Sequence, residues 1–225
     1  KIIILGSTGS IGKTTLNIIK KFKKHFSVEL LSANKNVKLL LNQAKELNVK
    51  RTVIFDKIKY QRNKSIYKKN KIKLYNNLDD ALKFLKKKVD ISVCGISGID
   101  GLPHLLKSIE ISNKVAVANK ESIICGWNLI NRSLIKNKTN FIPLDSEHFS
   151  LWRLIGNKKL DDIKEVFLTA SGGPFLNKKK SDLKVVSPKL ALKHPNWKMG
   201  KKISIDSATM MNKVFEVIEA HKIFK

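Results

Sequence analysis

Short apolar runs alternate with helix-length segments through the first 140 residues. The runs are rich in β-branched residues, as buried strands are, and they occupy residues 2–5, 28–32, 52–55, 89–94, 114–118 and 141–144. Between them, apolar residues recur at helical spacing in residues 11–22, 37–47 and 78–85. This alternation predicts βαβ units and a mainly parallel sheet with helices on both faces.

The pattern changes after Pro143, where the predicted strands, at residues 166–169 and 202–205, lie farther apart. A chain of 225 residues is long enough for two unequal domains. We therefore predict a Rossmann-like, doubly wound dinucleotide-binding domain over residues 1–144 and a smaller α/β catalytic domain over residues 145–225. Both ends of the chain are expected to be cut, because Lys1 already lies inside an apolar run and the last residues continue a helical pattern.

The charge is strongly basic, with 45 lysine and arginine residues against 18 acidic ones and a net charge of +27. Such a charge raises the question of nucleic-acid binding. Only four of the basic residues are arginine, the lysines are scattered, and no RNA-binding aromatic motif or zinc-finger spacing accompanies them. We interpret the charge as compositional drift and expect no nucleic-acid partner, and RNA binding is kept as the alternative.

Other features of the composition fit a globular protein of a reducing compartment. No apolar stretch approaches the ~18 residues of a membrane span, so no membrane association is expected. Cys94 and Cys125 are too few for a disulfide scaffold. The cytoplasm of a bacterium is the expected location, with a plastid-type organelle as the alternative.

A glycine-rich loop follows the first predicted strand directly. It reads Gly6, Ser7, Thr8, Gly9, Ser10, Ile11, Gly12 and opens a predicted helix. Glycines at such a place permit a tight turn and let the backbone approach a pyrophosphate, whose charge the N–H groups of the helix start attract. A nucleoside-triphosphate loop is excluded because it needs four residues between its glycines, and five separate Gly6 from Gly12.

The second predicted strand indicates which dinucleotide the loop binds. An NAD enzyme usually carries Asp or Glu at its end, and this chain has Asn34, Lys35 and Asn36. A lysine would attract a 2′-phosphate that a carboxylate would repel, so we predict NADPH; the alternative is that Lys35 is one more solvated lysine. The small-residue loop at 94–98, which ends another strand, is predicted to line the nicotinamide half of the cleft.

Polar clusters follow the later predicted strands. Asn119, Lys120 and Glu121 form one of them. In another, an extended backbone would place Asp145 and Glu147 on the same face, as Mg²⁺ or Mn²⁺ requires of two oxygen ligands.

A further polar cluster lies in residues 206–216, and a helical conformation of this segment would arrange its side chains in stripes. A polar stripe of Asn212, Glu216 and Glu219 would then lie beside an apolar one of Met211, Phe215 and Ile218. Glu216 would become the third metal ligand. Taken singly, each cluster could equally be a solvated helix face or a capped helix start.

Together these motifs resemble one enzyme family, the 1-deoxy-D-xylulose 5-phosphate reductoisomerases of the non-mevalonate isoprenoid pathway. The matching stretches are GSTGSIG (6–12), ANKES (118–122), PLDSEH (143–148), TASGGPF (169–175), LKHPNWKMGKKI (192–203) and DSATMMNK (206–213). The stretches occur in the same order as in the family, and they are distributed along the whole chain. Family members continue into a carboxy-terminal helical domain, which we expect to be absent from this chain.

The resemblance implies a function and a set of site residues. The implied reaction is isomerisation and NADPH-dependent reduction of 1-deoxy-D-xylulose 5-phosphate to 2-C-methyl-D-erythritol 4-phosphate by a homodimer that needs Mg²⁺ or Mn²⁺. The metal ligands would be Asp145, Glu147 and Glu216, and the catalytic set would add Lys120 and His194. Substrate would contact Lys120, Ser146, Glu147, Ser171, His194, Trp197, Ser207, Asn212, Lys213 and Glu216. Cofactor would contact residues 6–12 and 34–36 with Asn119, Glu121 and Gly200, and residues 172–199 would form a lid.

A simple NADP-dependent dehydrogenase of the semialdehyde type is the enzymatic alternative, because it also uses this glycine spacing. It would require a nucleophilic cysteine, and neither Cys94 nor Cys125 has a histidine nearby in the sequence to activate it. Dependence on a metal would separate the two enzymes.

Overall fold

The sheet of the first 144 residues determines where a ligand can bind. The computed structural model describes residues 1–156, 158, 160–195 and 200–224. Within residues 1–144, parallel strands form one seven-stranded sheet in the order β4-β3-β2-β1-β5-β6-β7. The strands are β1 Ile2–Leu5, β2 Val28–Ala33, β3 Arg51–Ile54, β4 Lys73–Tyr75, β5 Val89–Cys94, β6 Ser112–Val117 and β7 Asn140–Pro143.

This strand order confirms the predicted α/β class. The sheet is doubly wound, because the chain runs outward from β1 to β4 and then returns to start again at β5 on the other side of β1. The connecting helices are α1 Ser10–Lys21, α2 Val37–Glu46, α3 Lys57–Lys69, α4 Leu78–Leu82, α5 Gly101–Ile111 and α6 Lys120–Asn137. Ligands of such sheets bind where the order reverses, outside the carboxyl ends of β1 and β5.

The core lies on the central strands. All four residues of β1 are buried, and Leu16 and Ile19 of α1 pack in the same cluster. Tyr67 of α3 is also buried, and its hydroxyl donates to the carbonyl of Val37 at 2.8 Å. A buried phenol satisfied in this way contributes apolar area without leaving a polar group unpaired.

Residues 145–225 form a second compact unit. Its helices are α7 Ser146–Ile155, α8 Pro188–Ala191, α9 Lys201–Ala208 and α10 Met211–Ile223, with 3₁₀ turns at Leu160–Asp162, Gly173–Phe175 and Lys180–Val185. The two strands predicted for this unit are wrong. Residues 166–169 have no regular structure, and residues 202–205 lie inside α9, where Ser204 N–H donates to the carbonyl of Gly200 at 3.1 Å.

No helix in the described part of the chain is long and apolar enough to cross a membrane.

Candidate functional site

Two glycines of the loop after β1 are required by close backbone packing. Gly6 has a φ of +79°, and a Cβ there would lie 2.7 Å from the carbonyl oxygen of Gly95, which follows β5. A Cβ on Gly12 would lie 2.5 Å from the carbonyl oxygen of Gly6. The sequence therefore needs glycine at both positions, the first for the turn and the last for seating α1 against the loop.

Ser7 holds this loop from inside. It is fully buried; its hydroxyl donates to Gln43 at 2.8 Å, and its backbone carbonyl accepts from the Gln43 amide at 3.0 Å. Its N–H donates to the carbonyl of Ser32 at 2.8 Å. These internal hydrogen bonds of Ser7 shape the loop, and its predicted contact with cofactor stays a prediction. Gln43, on α2, has no motif around it and was missed by sequence reasoning.

A groove of about 580 Å³ opens at the carboxyl ends of the central strands. It is lined by residues from the loops after β1, β2, β3 and β5 and from the start of α5: Gly6, Thr8, Gly9, Ser32, Ala33, Asn34, Phe55, Gly95, Ile96, Ser97, Asp100, Pro103 and His104. The helix α1 begins beside it at Ser10, and within the described residues no side-chain cap hydrogen bond is formed at its first turn, which includes Ile11. Such a helix start fits a phosphate, and the groove fits a dinucleotide.

The segment after β2 presents one exposed cation. Asn34 lines the groove, and Asn36 caps α2 by accepting from Leu39 N–H at 3.2 Å. The Lys35 ammonium is largely exposed and lies 4.0 Å from the carboxylate of Asp56. Asp56 in turn caps α3 through Lys59 N–H, at 2.8 Å. Lys35 is thus held only loosely and can meet an anion.

Phe55 and His104 pack against each other on the wall of the groove, with ring centroids 4.3 Å apart and ring planes tilted by 31°. Burial lowers the pKa of His104, more than the nearby carboxylates of Asp100 and Asp79 raise it. A neutral imidazole packed against a phenyl ring gives this wall of the groove aromatic surface. Neither residue was identified from the sequence, because isolated aromatic residues in loops carry no spacing signal.

Asn119 fixes the loop after β5. Its amide donates to the carbonyls of Ile96 and Gly98 at 2.6 and 2.7 Å, and its oxygen caps α6 through Ser122 N–H at 2.9 Å. The side chain therefore positions the loop, and its predicted contact with cofactor stays a prediction. Lys120 and Glu121 open α6 next to it, and their predicted roles stay predictions.

The predicted metal ligands come together in the second unit. Asp145, Glu147 and Glu216 each offer a carboxylate oxygen, and these oxygens lie within 4.8 Å of one another. The reason differs from the one predicted. Asp145 is not followed by extended backbone; it caps α7 by accepting from Glu147 N–H at 3.2 Å, so the cap brings the two side chains together.

Two donors contact the buried carboxylate of Glu216, which is 1% exposed. Asn212 donates its amide to one carboxylate oxygen, and the Lys213 ammonium contacts the other. Lys213 also lies 3.5 Å from Glu147. The carboxylate cluster is thus already stabilised by positive charge, and its oxygen donors suit a hard divalent cation.

His148 lies beneath this cluster and is fully buried. Its Nδ1 is 3.1 Å from Asp145 and 3.3 Å from Glu219, and its Nε2 donates to the backbone carbonyl of Glu216 at 2.9 Å. Burial lowers the pKa of His148, but the contacts with Asp145, Glu219 and the Glu216 carbonyl outweigh it and leave the pKa raised. The sequence showed His148 beside the acidic pair without indicating that it joins α7 to α10.

The segment 206–216 is two helices and not one. α9 ends at Ala208, and Met210, with a φ of +61°, turns the chain into α10. The burial of the two predicted stripes is the reverse of what their polarity suggests. Glu216 and Glu219 of the polar stripe are buried, whereas Met211 and Ile218 of the apolar stripe are exposed. The carboxylates are buried because they find cationic and hydrogen-bonding partners on α7 and α10.

Three of the residues predicted to contact substrate lie near turns. Ser171 Oγ is 3.0 Å from His194 Nε2. A Cβ on Gly173 would lie 2.6 Å from the carbonyl oxygen of Ser207, so the turn after Ser171 packs against the end of α9. The structure therefore brings Ser171, His194 and Ser207 into one region, while Ser146 is exposed and donates to Glu147 at 2.5 Å.

The predicted lid is described only in part. Residues 172–195 contain α8 and two 3₁₀ turns. Trp197 lies outside the described residues, and Gly200 begins α9 as its amino-terminal cap. Their predicted contacts with substrate and cofactor stay predictions.

Cys94 does not support the alternative of a cysteine-dependent dehydrogenase. Cys94 is buried, and burial raises the pKa of its thiol to about 12. A thiol must ionise to act as a nucleophile, so Cys94 is inert near neutral pH.

Known proteins resemble both units. Residues 2–126 match the family described as 1-deoxy-D-xylulose 5-phosphate reductoisomerase, and residues 141–224 match the C-terminal domain of that enzyme. The reductoisomerase of Pelagibacter ubique is 53% identical over 226 residues, and that of Wolbachia pipientis subsp. Culex pipiens is 45% identical over 228 residues. Each alignment covers 100% of this chain and 58% of the relative, so the chain spans well under two thirds of their length.

Solved structures agree with the sequence relatives. The reductoisomerase from Zymomonas mobilis in complex with NADPH has a TM-score of 0.88 at 35% identity, covering 99% of this chain and 57% of that one. A DOX-P reductoisomerase in complex with NADPH, fosmidomycin and magnesium has a TM-score of 0.90 at 33% identity, covering 99% and 58%.

Proposed function

The chain belongs to the 1-deoxy-D-xylulose 5-phosphate reductoisomerase family, and from this premise we propose that it isomerises and reduces 1-deoxy-D-xylulose 5-phosphate to 2-C-methyl-D-erythritol 4-phosphate. NADPH would be the reductant and Mg²⁺ or Mn²⁺ the required cation. The observation that carries the proposal is the cluster of Asp145, Glu147 and Glu216 with the donors Asn212 and Lys213 beside it.

The carboxylate cluster would hold the cation. A cation bound there would supply a Lewis acid that polarises the carbonyl and hydroxyl oxygens of the substrate. Glu216 is buried and held by Asn212, so its oxygens are oriented before anything binds. The capping bond of Asp145 restricts the second carboxylate in the same way.

Donors for the substrate's phosphate would come from the turns of the second unit. Ser171 and Ser207 offer hydroxyls, and Asn212 and Lys213 open α10 with an amide and an ammonium. Charged donors at a helix start are suited to a phosphate dianion. His194, whose Nε2 is 3.0 Å from Ser171 Oγ, would approach the substrate beside that hydroxyl.

The groove of the first unit would hold NADPH. Gly6, Gly9 and Gly12 let the backbone approach the pyrophosphate, and the uncapped start of α1 offers its N–H groups. Lys35 would meet the 2′-phosphate. We further propose, from family membership, that the protein is a homodimer of the bacterial cytoplasm.

The function is tested by following NADPH absorbance with purified protein, 1-deoxy-D-xylulose 5-phosphate and Mn²⁺. We expect oxidation that falls by at least ~100-fold on adding a chelator, because the Lewis acid is lost. Glu147→Gln should lower it similarly. NADPH binding, measured by fluorescence with the chelator present, should persist. Oxidation that a chelator does not affect would contradict the proposal and favour a metal-independent dehydrogenase.

Lys35→Gln should raise the KM for NADPH about tenfold and leave the KM for NADH nearly unchanged. The reason is that a single charge-assisted contact to the 2′-phosphate is lost, at about 1.4 kcal/mol per tenfold. Steady-state kinetics with both cofactors measures the effect. Lys38→Gln removes an exposed lysine from the neighbouring helix and serves as the control. Equal changes for NADPH and NADH would count against a 2′-phosphate contact.

A further inference from the structure

Glu219 is a buried carboxylate with no assigned role. It lies on α10 almost one turn after Glu216, and only 1% of its surface is exposed. Three other carboxylates lie nearby in the cluster of Asp145, Glu147 and Glu216. Burying a fourth charge there is costly unless a specific partner repays it. An apolar residue would fill the same volume without that cost, so packing alone does not explain a glutamate.

Among the described residues, His148 provides such a partner. Glu219 Oε2 lies 3.3 Å from His148 Nδ1, which is also 3.1 Å from Asp145 Oδ1. On the other side of the ring, Nε2 donates to the carbonyl of Glu216 at 2.9 Å. A single buried ring therefore contacts two members of the carboxylate cluster, and Glu219 contacts the ring.

We propose that Glu219 is a positioning residue for the cation site. It fixes the orientation of the His148 ring, and the ring fixes the carboxylate of Asp145 and the backbone that carries Glu216. Groups outside the ligand set commonly orient ligands in this way, and their loss weakens metal binding. The inference rests on the proposed function, because it assumes that the cluster of Asp145, Glu147 and Glu216 binds a divalent cation.

The contacts of Glu219 support this role over a direct ligand role. Glu216 and Glu219 are three residues apart on the same face of one helix, but their carboxylates contact different groups. Asn212 and Lys213 approach the carboxylate of Glu216 from the preceding turn. Glu219 instead reaches the histidine, so the two glutamates contact different parts of the site.

The test measures Mn²⁺ binding by electron paramagnetic resonance, without substrate or NADPH. Glu219→Gln keeps the shape of the side chain and removes its charge, and Glu219→Leu removes both hydrogen-bonding atoms. We expect Mn²⁺ affinity to fall about 10- to 100-fold, more in the leucine variant. In turnover assays the Mn²⁺ concentration needed for activation should rise by the same factor. The kcat should recover at saturating Mn²⁺, with the KM for NADPH unchanged.

Glu165→Gln is the matched control, since Glu165 is an exposed carboxylate of the same unit. Circular dichroism and thermal melting establish whether the variants fold. If Glu219→Leu does not fold, the isosteric Glu219→Gln still tests the inference. Unchanged Mn²⁺ affinity in folded Glu219→Gln, beside tight binding by the unaltered protein, would overturn this inference alone. Absence of Mn²⁺ binding by the unaltered protein would overturn the proposed function and this inference with it.

Discussion

Glu216→Gln is expected to lower metal-dependent turnover about a thousandfold and to weaken Mn²⁺ binding strongly. The substitution removes one charge from the cluster of three carboxylates while keeping the shape of the buried side chain. A cation that stabilises transition-state charge contributes several kcal/mol, and each 1.4 kcal/mol is about tenfold in rate or affinity. Glu216 should show the largest effect of the three, because it is the most deeply buried of them.

Mn²⁺ titration and steady-state kinetics together measure this effect. The backbone carbonyl of Glu216 still accepts from His148 in the variant, so the contact between α7 and α10 is kept. Asp162→Asn, at an exposed carboxylate of the same unit, should change neither quantity. Mn²⁺ affinity that survives Glu216→Gln would mean that the cation binds elsewhere.

The second large effect is expected from Gly12→Ala, which should destabilise the first unit by about 3 kcal/mol. Its Cβ would lie 2.5 Å from the carbonyl oxygen of Gly6, and backbone atoms cannot move aside cheaply. The expected fall in melting temperature is roughly 6–12 °C for a chain of this size. Differential scanning calorimetry measures it.

Gly9→Ala distinguishes the contribution of this loop to packing from its contribution to cofactor binding. Its φ of −78° suits alanine, and its Cβ would lie 3.3 Å from the carbonyl oxygen of Gly6, which needs only a small shift. We expect a nearly unchanged melting temperature and weaker NADPH binding, because a methyl group would stand at the loop's approach to the pyrophosphate. Equal destabilisation by both substitutions would contradict this account of the loop.

The first unit was largely predictable because its strands are buried on both faces. The continuous apolar run of β1 is typical of a parallel sheet, and the observed bounds of β1 and β5 are the predicted ones. β4, Lys73–Tyr75, was missed since it is a short edge strand that begins with an exposed lysine. Its place in the sheet depends on pairing with β3, which no local pattern reveals.

The second unit was less predictable because short alternations fit more than one structure. Lys202 to Ile205 alternates polar and apolar residues, yet four residues do not distinguish a period of 2 from one of 3.6. The segment is helical because its backbone N–H and carbonyl groups form hydrogen bonds within the helix. Among the described residues, no neighbouring strand is placed to pair with it in a sheet.

The sequence predicted that the carboxylates of Asp145, Glu147 and Glu216 lie together, but it did not predict the residues around them. These three residues were identified as candidates because they carry carboxylates and lie near the ends of predicted elements. The contacts of His148 join residues far apart in the chain, with 68 positions between it and Glu216. Gln43 likewise reaches Ser7 across 36 positions. Such partners carry no local signal, because tertiary packing alone brings them together.

The inward-facing carboxylates of α10 couple the stability of this helix to the occupancy of the site. α10 presents Met211, Val214 and Ile218 to water and turns Glu216 and Glu219 inward, so polar contacts account for much of its attachment to α7. Any cation bound between Asp145 and Glu216 adds a bond between the same two helices. By thermodynamic linkage, the free energy of ligation is then also free energy of folding for this part of the chain.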